Sequence, residues 1–198
     1  MPKVVLLAGP NGAGKTTSAK SLLRDSFAVD EFVNADPIAQ ALSPFKPEAA
    51  ATEAGRIMLR QIRRLFSRRS DFAFETTLAS RSPATWLRRA MEAGYESRLI
   101  YLSLPSAEIS LSRVSSRVRL GGHHVPDADV RRRHKAGLDN LFRLYMPIVS
   151  TWHLYDNSRA DTPVKIAEGG LKTPLRLYDE NQYSLLLEMS GRDKQETF

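Results

Sequence analysis

The chain contains no cysteine. Disulfides, thiolate metal sites and a cysteine nucleophile are all excluded, which fits a reducing compartment. It also lacks any apolar run near the roughly 18 residues that a membrane-spanning helix needs. The N-terminal run Val4-Val5-Leu6-Leu7-Ala8 is too short for a secretory signal. A cytoplasmic location without membrane association is expected. Aromatic residues are few, at 8%, and Trp86 and Trp152 are expected in the core rather than as a base-stacking platform. Acidic residues are in deficit: 22 Asp and Glu stand against 29 Lys and Arg, a net charge of +7.

That basic excess is concentrated. Arg56, Arg60, Arg63, Arg64, Arg68 and Arg69 share one segment with Ile57, Met58, Ile62, Leu65 and Phe66 at helical spacing. The arginines there read as a solvated helix face. A second group comprises Arg113, Arg117, Arg119, Arg131, Arg132, Arg133 and Lys135, and it surrounds a Gly-Gly loop.

What the chain does contain is Gly9-Pro10-Asn11-Gly12-Ala13-Gly14-Lys15-Thr16, a complete G-x-x-x-x-G-K-[ST] phosphate-binding loop. Its glycines let backbone N–H groups turn inward around a phosphate, and Lys15 adds a positive charge on the β- and γ-phosphates. Thr16 is placed to ligate Mg²⁺, and Thr17 follows on the same turn. The preceding apolar run suits a buried parallel strand, and residues 16–24 can continue as a helix. Strand, loop and helix in that order are the context that confirms the motif, so ATP binding is expected.

Further along, strands are predicted at residues 31–34, 72–75, 97–104 and 151–155, with an edge strand at 164–167. Helices are predicted at residues 37–42, 48–69, 82–93, 106–120 and 127–146, and a short one at 183–189. In this reading Asp36 is the N-cap ahead of Pro37, and Gly94 ends the helix before it. The alternation of strands and helices predicts a P-loop α/β fold: three α/β/α layers around a mostly parallel sheet, with a helical lid. One domain is expected over residues 1–198, with a core at about 3–168, a lid at about 113–135 and a tail at about 171–198. Ligands in such folds bind at the strand C-terminal ends. Asp36, Glu75-Thr76-Thr77 and Asp156-Asn157-Ser158 fall at those ends, whereas no long apolar strand ending in Asp supplies a strong Walker B carboxylate. The layout suits a small-molecule kinase. His123, His124 and His134 occur with neither H-E-x-x-H nor cysteine, so they do not read as a zinc site.

The chain resembles the zeta toxin-like kinases, P-loop enzymes related to bacterial toxins that phosphorylate UDP-N-acetylglucosamine. The resemblance rests on Gly9 to Thr16, on Asn34-Ala35-Asp36, on Phe74-Glu75-Thr76-Thr77, and on Arg117-Val118-x-x-Gly121-Gly122-His123-x-Val125-Pro126 followed by Val130-Arg131-Arg132. Asp156-Asn157-Ser158 completes it. It is similar to the compact, stand-alone branch of that family. The resemblance implies that Lys15 and Thr16 hold the triphosphate and Mg²⁺, and that Asp36 is the base for the acceptor hydroxyl. Glu75 and Thr77 would contact the acceptor, for which the resemblance implies a UDP-sugar. Arg117 and Arg132 would reach the phosphates from the lid, with Arg119, Arg131 and His123 as further lid candidates. Two other readings stay open: a polynucleotide kinase or nucleic-acid-binding ATPase, and a non-catalytic nucleotide-binding module acting through a protein partner. The identity of any antitoxin partner is not legible.

Overall fold

The computed structural model describes residues 1–25, 28–122, 124–159, 162–171 and 173–192. Its centre is β1, Lys3–Ala8, in which Val4, Val5, Leu6, Leu7 and Ala8 are all fully buried. Side chains alternate across a strand, so a continuous apolar run requires cover on both faces. Val4 and Leu6 belong to one core and Val5 and Leu7 to another on the opposite face.

Six more strands complete the sheet: β2 (Phe32–Val33), β3 (Phe72–Thr76), β4 (Glu96–Ser103), β5 (Thr151–Asp156), β6 (Val164–Gly170) and β7 (Thr173–Leu177). Their order is β2-β3-β1-β4-β5-β6-β7. The first five strands in that row pair in parallel, and β6 and β7 add antiparallel. The chain runs from β1 to β2 and β3 on one side and returns to β4 on the other. That reversal opens a crevice at the C-terminal end of β1.

The helices are α1 (Lys15–Ala19), α2 (Ala35–Leu42), α3 (Ala51–Ser67), α4 (Ser82–Glu92), α5 (Ala107–Arg119), α6 (Asp127–Asn140) and α7 (Glu180–Met189). α1 continues as π turns through Lys20–Asp25, and α6 through Leu141–Tyr145. α3, α4, α6 and α7 bury Ile62, Leu65, Leu87, Leu138 and Leu186 in the larger core. Ala19 of α1, and Leu23 after it, fill the smaller core. Phe66 of α3 meets Trp86 of α4 edge-on at 5.8 Å and stacks on Tyr95 at 5.2 Å, which locks the two helices side by side. Among the described residues no helix is long and apolar enough to cross a membrane.

Two local differences from the sequence reading have physical causes. The helix expected at 48–69 begins at Ala51, because Pro47 opens a separate 3₁₀ turn over Pro47–Ala50. The expected edge strand is internal: β6 extends to Gly170 and pairs with β7, which takes the edge. β7 carries Pro174, a residue that edges tolerate and central strands do not. Gly94 does end α4 as read, at φ +84° with its N–H bonded to Met91 O at 2.9 Å.

Candidate active site

The loop between β1 and α1 is shaped by close backbone approach. A Cβ on Gly9 would lie 2.4 Å from Leu102 O, and Gly12 and Gly14 both sit at φ +76°. These are conformations that only glycine adopts without strain. Ala13 is buried in the smaller core and anchors the loop tip.

Lys15 is buried and donates from Nζ to Gly9 O and Pro10 O, both at 2.9 Å. Its Nζ also lies 3.6 Å from Glu75 Oε1. Burial lowers the pKa of this ammonium, and the negative charges of Glu75 and Asp36 oppose that shift. Glu75 is the hub of the cluster. Its Oε2 accepts from Thr16 Oγ1 at 3.0 Å and from Asn34 Nδ2 at 2.8 Å. β3 lies beside β1 with Glu75 in register with Leu7, so this carboxylate emerges next to the phosphate loop. The sequence reading placed Glu75 at a strand end and toward the acceptor; the structure sets this carboxylate on the strand beside β1, next to Thr16.

Asp36 stands differently from its expected capping position. The N-cap of α2 is Asn34, whose Oδ1 accepts from Asp36 N at 2.9 Å while its Nδ2 reaches Glu75. One amide side chain starts the helix and binds the hub, because it offers both an acceptor and a donor. Asp36 therefore lies in the first turn with its carboxylate free of capping. It lines a cavity of about 280 Å³ with Asn11, Gly12, Gly14, Lys15, Thr16, Thr17, Glu75, Arg113 and Arg117.

Other expected residues fall elsewhere. Thr77 lies beyond the end of β3 with its Oγ1 toward Ala79 N at 3.5 Å, and its carbonyl is packed against Gly137 of α6. Of the arginines expected to act from the lid, Arg117 lines the cavity, beside Arg113. Arg119 donates to Ser116 Oγ at 3.0 Å, Arg131 pairs with Glu108, and Arg132 pairs with Asp129 at 2.8 Å. In this arrangement those three are exposed and do not line the cavity. His123 lies outside the described residues. His134 is buried in α6 beside Leu104 O at 3.2 Å, and burial lowers its pKa.

Two contributors were missed. Asn34 could have been found as an N-cap one residue after a strand. Arg113 was grouped with the basic residues around the Gly-Gly loop and given no role of its own, although it stands four residues before Arg117 and so shares its helix face. A second cavity, of about 230 Å³, is lined by Gln40, Pro44, Phe45, Pro47, Glu48, Gly121, Gly122 and His124. Gln40 is one turn beyond Asp36 on α2, so this cavity opens along the same helix side. Phe45, at its rim, is 99% exposed.

Hard oxygen donors, a backbone anion cradle and a carboxylate together make an arrangement able to hold a metal–polyphosphate and to accept a proton. The Zeta toxin family model matches residues 1–146. An uncharacterized protein of Haemophilus influenzae is 31% identical over 132 residues, covering 67% of this chain and 92% of that protein. Among solved structures, the AvrRxo1-ORF1:ORF2 complex with ATP is similar at TM-score 0.76 and 18% identity. The match covers 94% of this chain, which spans only 63% of that one. The PezAT toxin–antitoxin system of Streptococcus pneumoniae is similar at TM-score 0.65 and 18% identity, over 96% of this chain and 78% of that one. These two likenesses establish the fold, and the family match across residues 1–146 establishes the lineage: the chain belongs to the Zeta toxin family.

Proposed function

We propose that this protein is a Mg²⁺- and ATP-dependent phosphotransferase that moves the γ-phosphoryl group to a hydroxyl of a small molecule, with nucleotide sugars such as UDP-N-acetylglucosamine as the first candidates. The observation that carries the proposal is the Asp36 carboxylate, relieved of capping by Asn34 and facing one cavity with Lys15, Thr16 and Glu75. A binding module would need the phosphate loop but not a carboxylate held free beside it. The ATP-containing AvrRxo1 complex supports ATP as donor.

In this reading the loop from Gly9 through Thr17 surrounds the triphosphate and Lys15 neutralises part of its charge. Thr16 and Glu75, whose oxygens meet at 3.0 Å, are the hard donors that would hold Mg²⁺. When bound, the ion supplies charge neutralisation on the β- and γ-phosphates. Asp36 accepts the acceptor's hydroxyl proton as its oxygen forms the new bond to phosphorus and the bridging oxygen departs with ADP. Arg117 balances charge on the transferring group, and Arg132, Arg131 or Arg119 join it when the lid moves. The acceptor enters beside Asp36, by way of the cavity that ends at Phe45. Purified protein, γ-labelled ATP and a panel of nucleotide sugars, free sugars and 5′-hydroxyl oligonucleotides test this. Label on a small-molecule acceptor is expected, and ATP binding without transfer to any acceptor would refute it.

One observation favours a second reading. Arg63, Arg64 and Arg68 of the α3 segment and Arg88 and Arg89 of α4 are exposed on adjoining helices. No carboxylate among the described residues forms an ion pair with them. Such a face suits a polyanion, and label appearing only on the oligonucleotides would select that reading.

A further inference from the structure

Arg113 stands against the phosphate loop and donates to three main-chain carbonyls. Its Nη1 reaches Asn157 O at 2.8 Å and Gly12 O at 3.3 Å, and its Nη2 reaches Ser158 O at 2.6 Å. Asn157, itself buried, donates from Nδ2 to Ala13 O at 2.7 Å. The end of β4 holds Asn157 in turn: the Asn157 N–H donates to Ser103 O at 3.1 Å. Ser158 is fixed by Asp156, which accepts from its N–H and from its hydroxyl at 2.8 Å each. The two carbonyls at the loop tip, Gly12 and Ala13, are thus held by one side chain from α5 and one from the end of β5.

The fit is tight. A Cβ on Gly12 would stand 3.0 Å from Arg113 Cβ, and one on Gly14 would stand 2.7 Å from Asn157 Nδ2. A trans peptide sends its C=O and N–H in opposite directions. Holding the Ala13 carbonyl against Asn157 therefore turns the Gly14 N–H the other way, toward the cavity that Lys15 and Thr16 line. Arg113 borders the cavity, but both its terminal nitrogens are turned to the loop carbonyls.

We infer that Arg113 and Asn157 form a brace that pre-sets the peptide planes of the phosphate loop for a polyphosphate and fastens the root of the lid helix to that loop. They are positioning residues, and the inference rests on the ATP-binding reading above. Arg113 precedes Arg117 by one helical turn, so the brace also fixes the axis about which α5 presents Arg117 to the cavity. Pre-orientation of this kind raises affinity because the donors need not be ordered when the anion arrives.

The test measures Kd by calorimetry for a Mg²⁺-loaded, non-hydrolysable ATP analogue and for inorganic tripolyphosphate. The variants are Arg113→Ala, Arg113→Lys and Asn157→Ala, each confirmed as folded by circular dichroism. Arg113→Ala should weaken both ligands by the same factor, about ten- to a hundredfold, the range expected for losing charge-assisted hydrogen bonds. KM for ATP should rise in step, and kcat at saturating ATP should fall less than in Arg117→Ala, because Arg113 acts on Arg117 only through their shared helix. Millimolar guanidinium, against NaCl of equal ionic strength, should restore Arg113→Ala, while Lys, which lacks the fork, should restore it only in part. Asn157→Ala should give the same loss in both ligands to a smaller degree. A Kd within twofold of wild type in Arg113→Ala overturns the brace. So does a loss confined to the ATP analogue, which would make Arg113 a nucleoside contact, or full rescue by Lys, which would reduce its part to charge. Failure of the wild-type protein to bind the analogue would instead overturn the proposed function.

Discussion

The Glu75→Gln substitution separates the electrostatics of the site from its shape, because Gln keeps the size while removing the charge and exchanging one acceptor oxygen for an NH₂ donor. Glu75 Oε1 stands 3.6 Å from the buried Lys15 ammonium, with the two side chains 11% and 6% exposed. At an effective dielectric of about 20, a pair at that separation attracts by about 4–5 kcal/mol. Two things reduce the measurable loss: Lys15 also donates to Gly9 O and Pro10 O, and Asp36 adds a second negative charge. A destabilisation of about 2–3 kcal/mol is expected, below the roughly 3–5 kcal/mol of an uncompensated buried charge. The assay is urea unfolding at pH 7 of the wild type, Glu75→Gln, Lys15→Met and the double variant. The double variant should lose less than the sum of the singles, with a coupling of about 2 kcal/mol. ATP in the presence of EDTA should narrow the deficit of Glu75→Gln, since the triphosphate then supplies the counter-charge to Lys15. A loss below about 0.5 kcal/mol, or a deficit that ATP leaves unchanged, refutes the view that Glu75 balances Lys15.

Phe45→Ala should raise KM for the acceptor by about tenfold or more, on the scale of covering one aromatic ring, and leave Kd for ATP unchanged; equal KM values would remove Phe45 from the acceptor path. Arg117→Ala should lower kcat by about a hundredfold with little change in ATP affinity. Arg132→Ala, whose partner here is Asp129, is compared with the control Arg133→Ala, and equal rates in the two would assign Arg132 to the helix surface. Burial holds His134 neutral in the folded state, so its folded pKa lies below the unfolded value of about 6.5. Acid then favours the unfolded chain, which binds the proton first: stability should be full above about pH 6.5 and fall below it, by up to about 1.4 kcal/mol per pH unit from this residue. His153 shifts in the same direction, so the urea midpoint of His134→Gln should fall less steeply between pH 7 and 5 than that of wild type but not become flat.

The phosphate loop and the parallel sheet were legible because each rests on local rules: glycine spacing fixes the loop, and a fully apolar run such as Val4 to Leu7 fits only a strand covered on both faces. Asp36 was found, but its local role was misjudged. Capping propensity does not distinguish Asn34 from Asp36; Asn34 takes the cap while its amide also binds Glu75, 41 residues away, a contact that spacing does not encode. Glu75 was assigned to the acceptor because its place beside β1 depends on strand order, which spacing does not encode. Arg113 was invisible for the same reason: its partners at Gly12 and Asn157 are 101 and 44 residues distant. β7 escaped notice because a short edge strand with most side chains exposed has no apolar alternation to read.

The central claim, that Asp36 takes the acceptor proton in an ATP-dependent phosphotransfer, is tested most directly by Asp36→Asn in the labelled-ATP assay beside a binding measurement. Asn34, not Asp36, caps α2, so the substitution should leave the fold and the helix start intact. The account predicts ATP affinity within a few-fold of wild type and a kcat lower by about 10²–10⁴. Transfer at a near-normal rate by Asp36→Asn would contradict it.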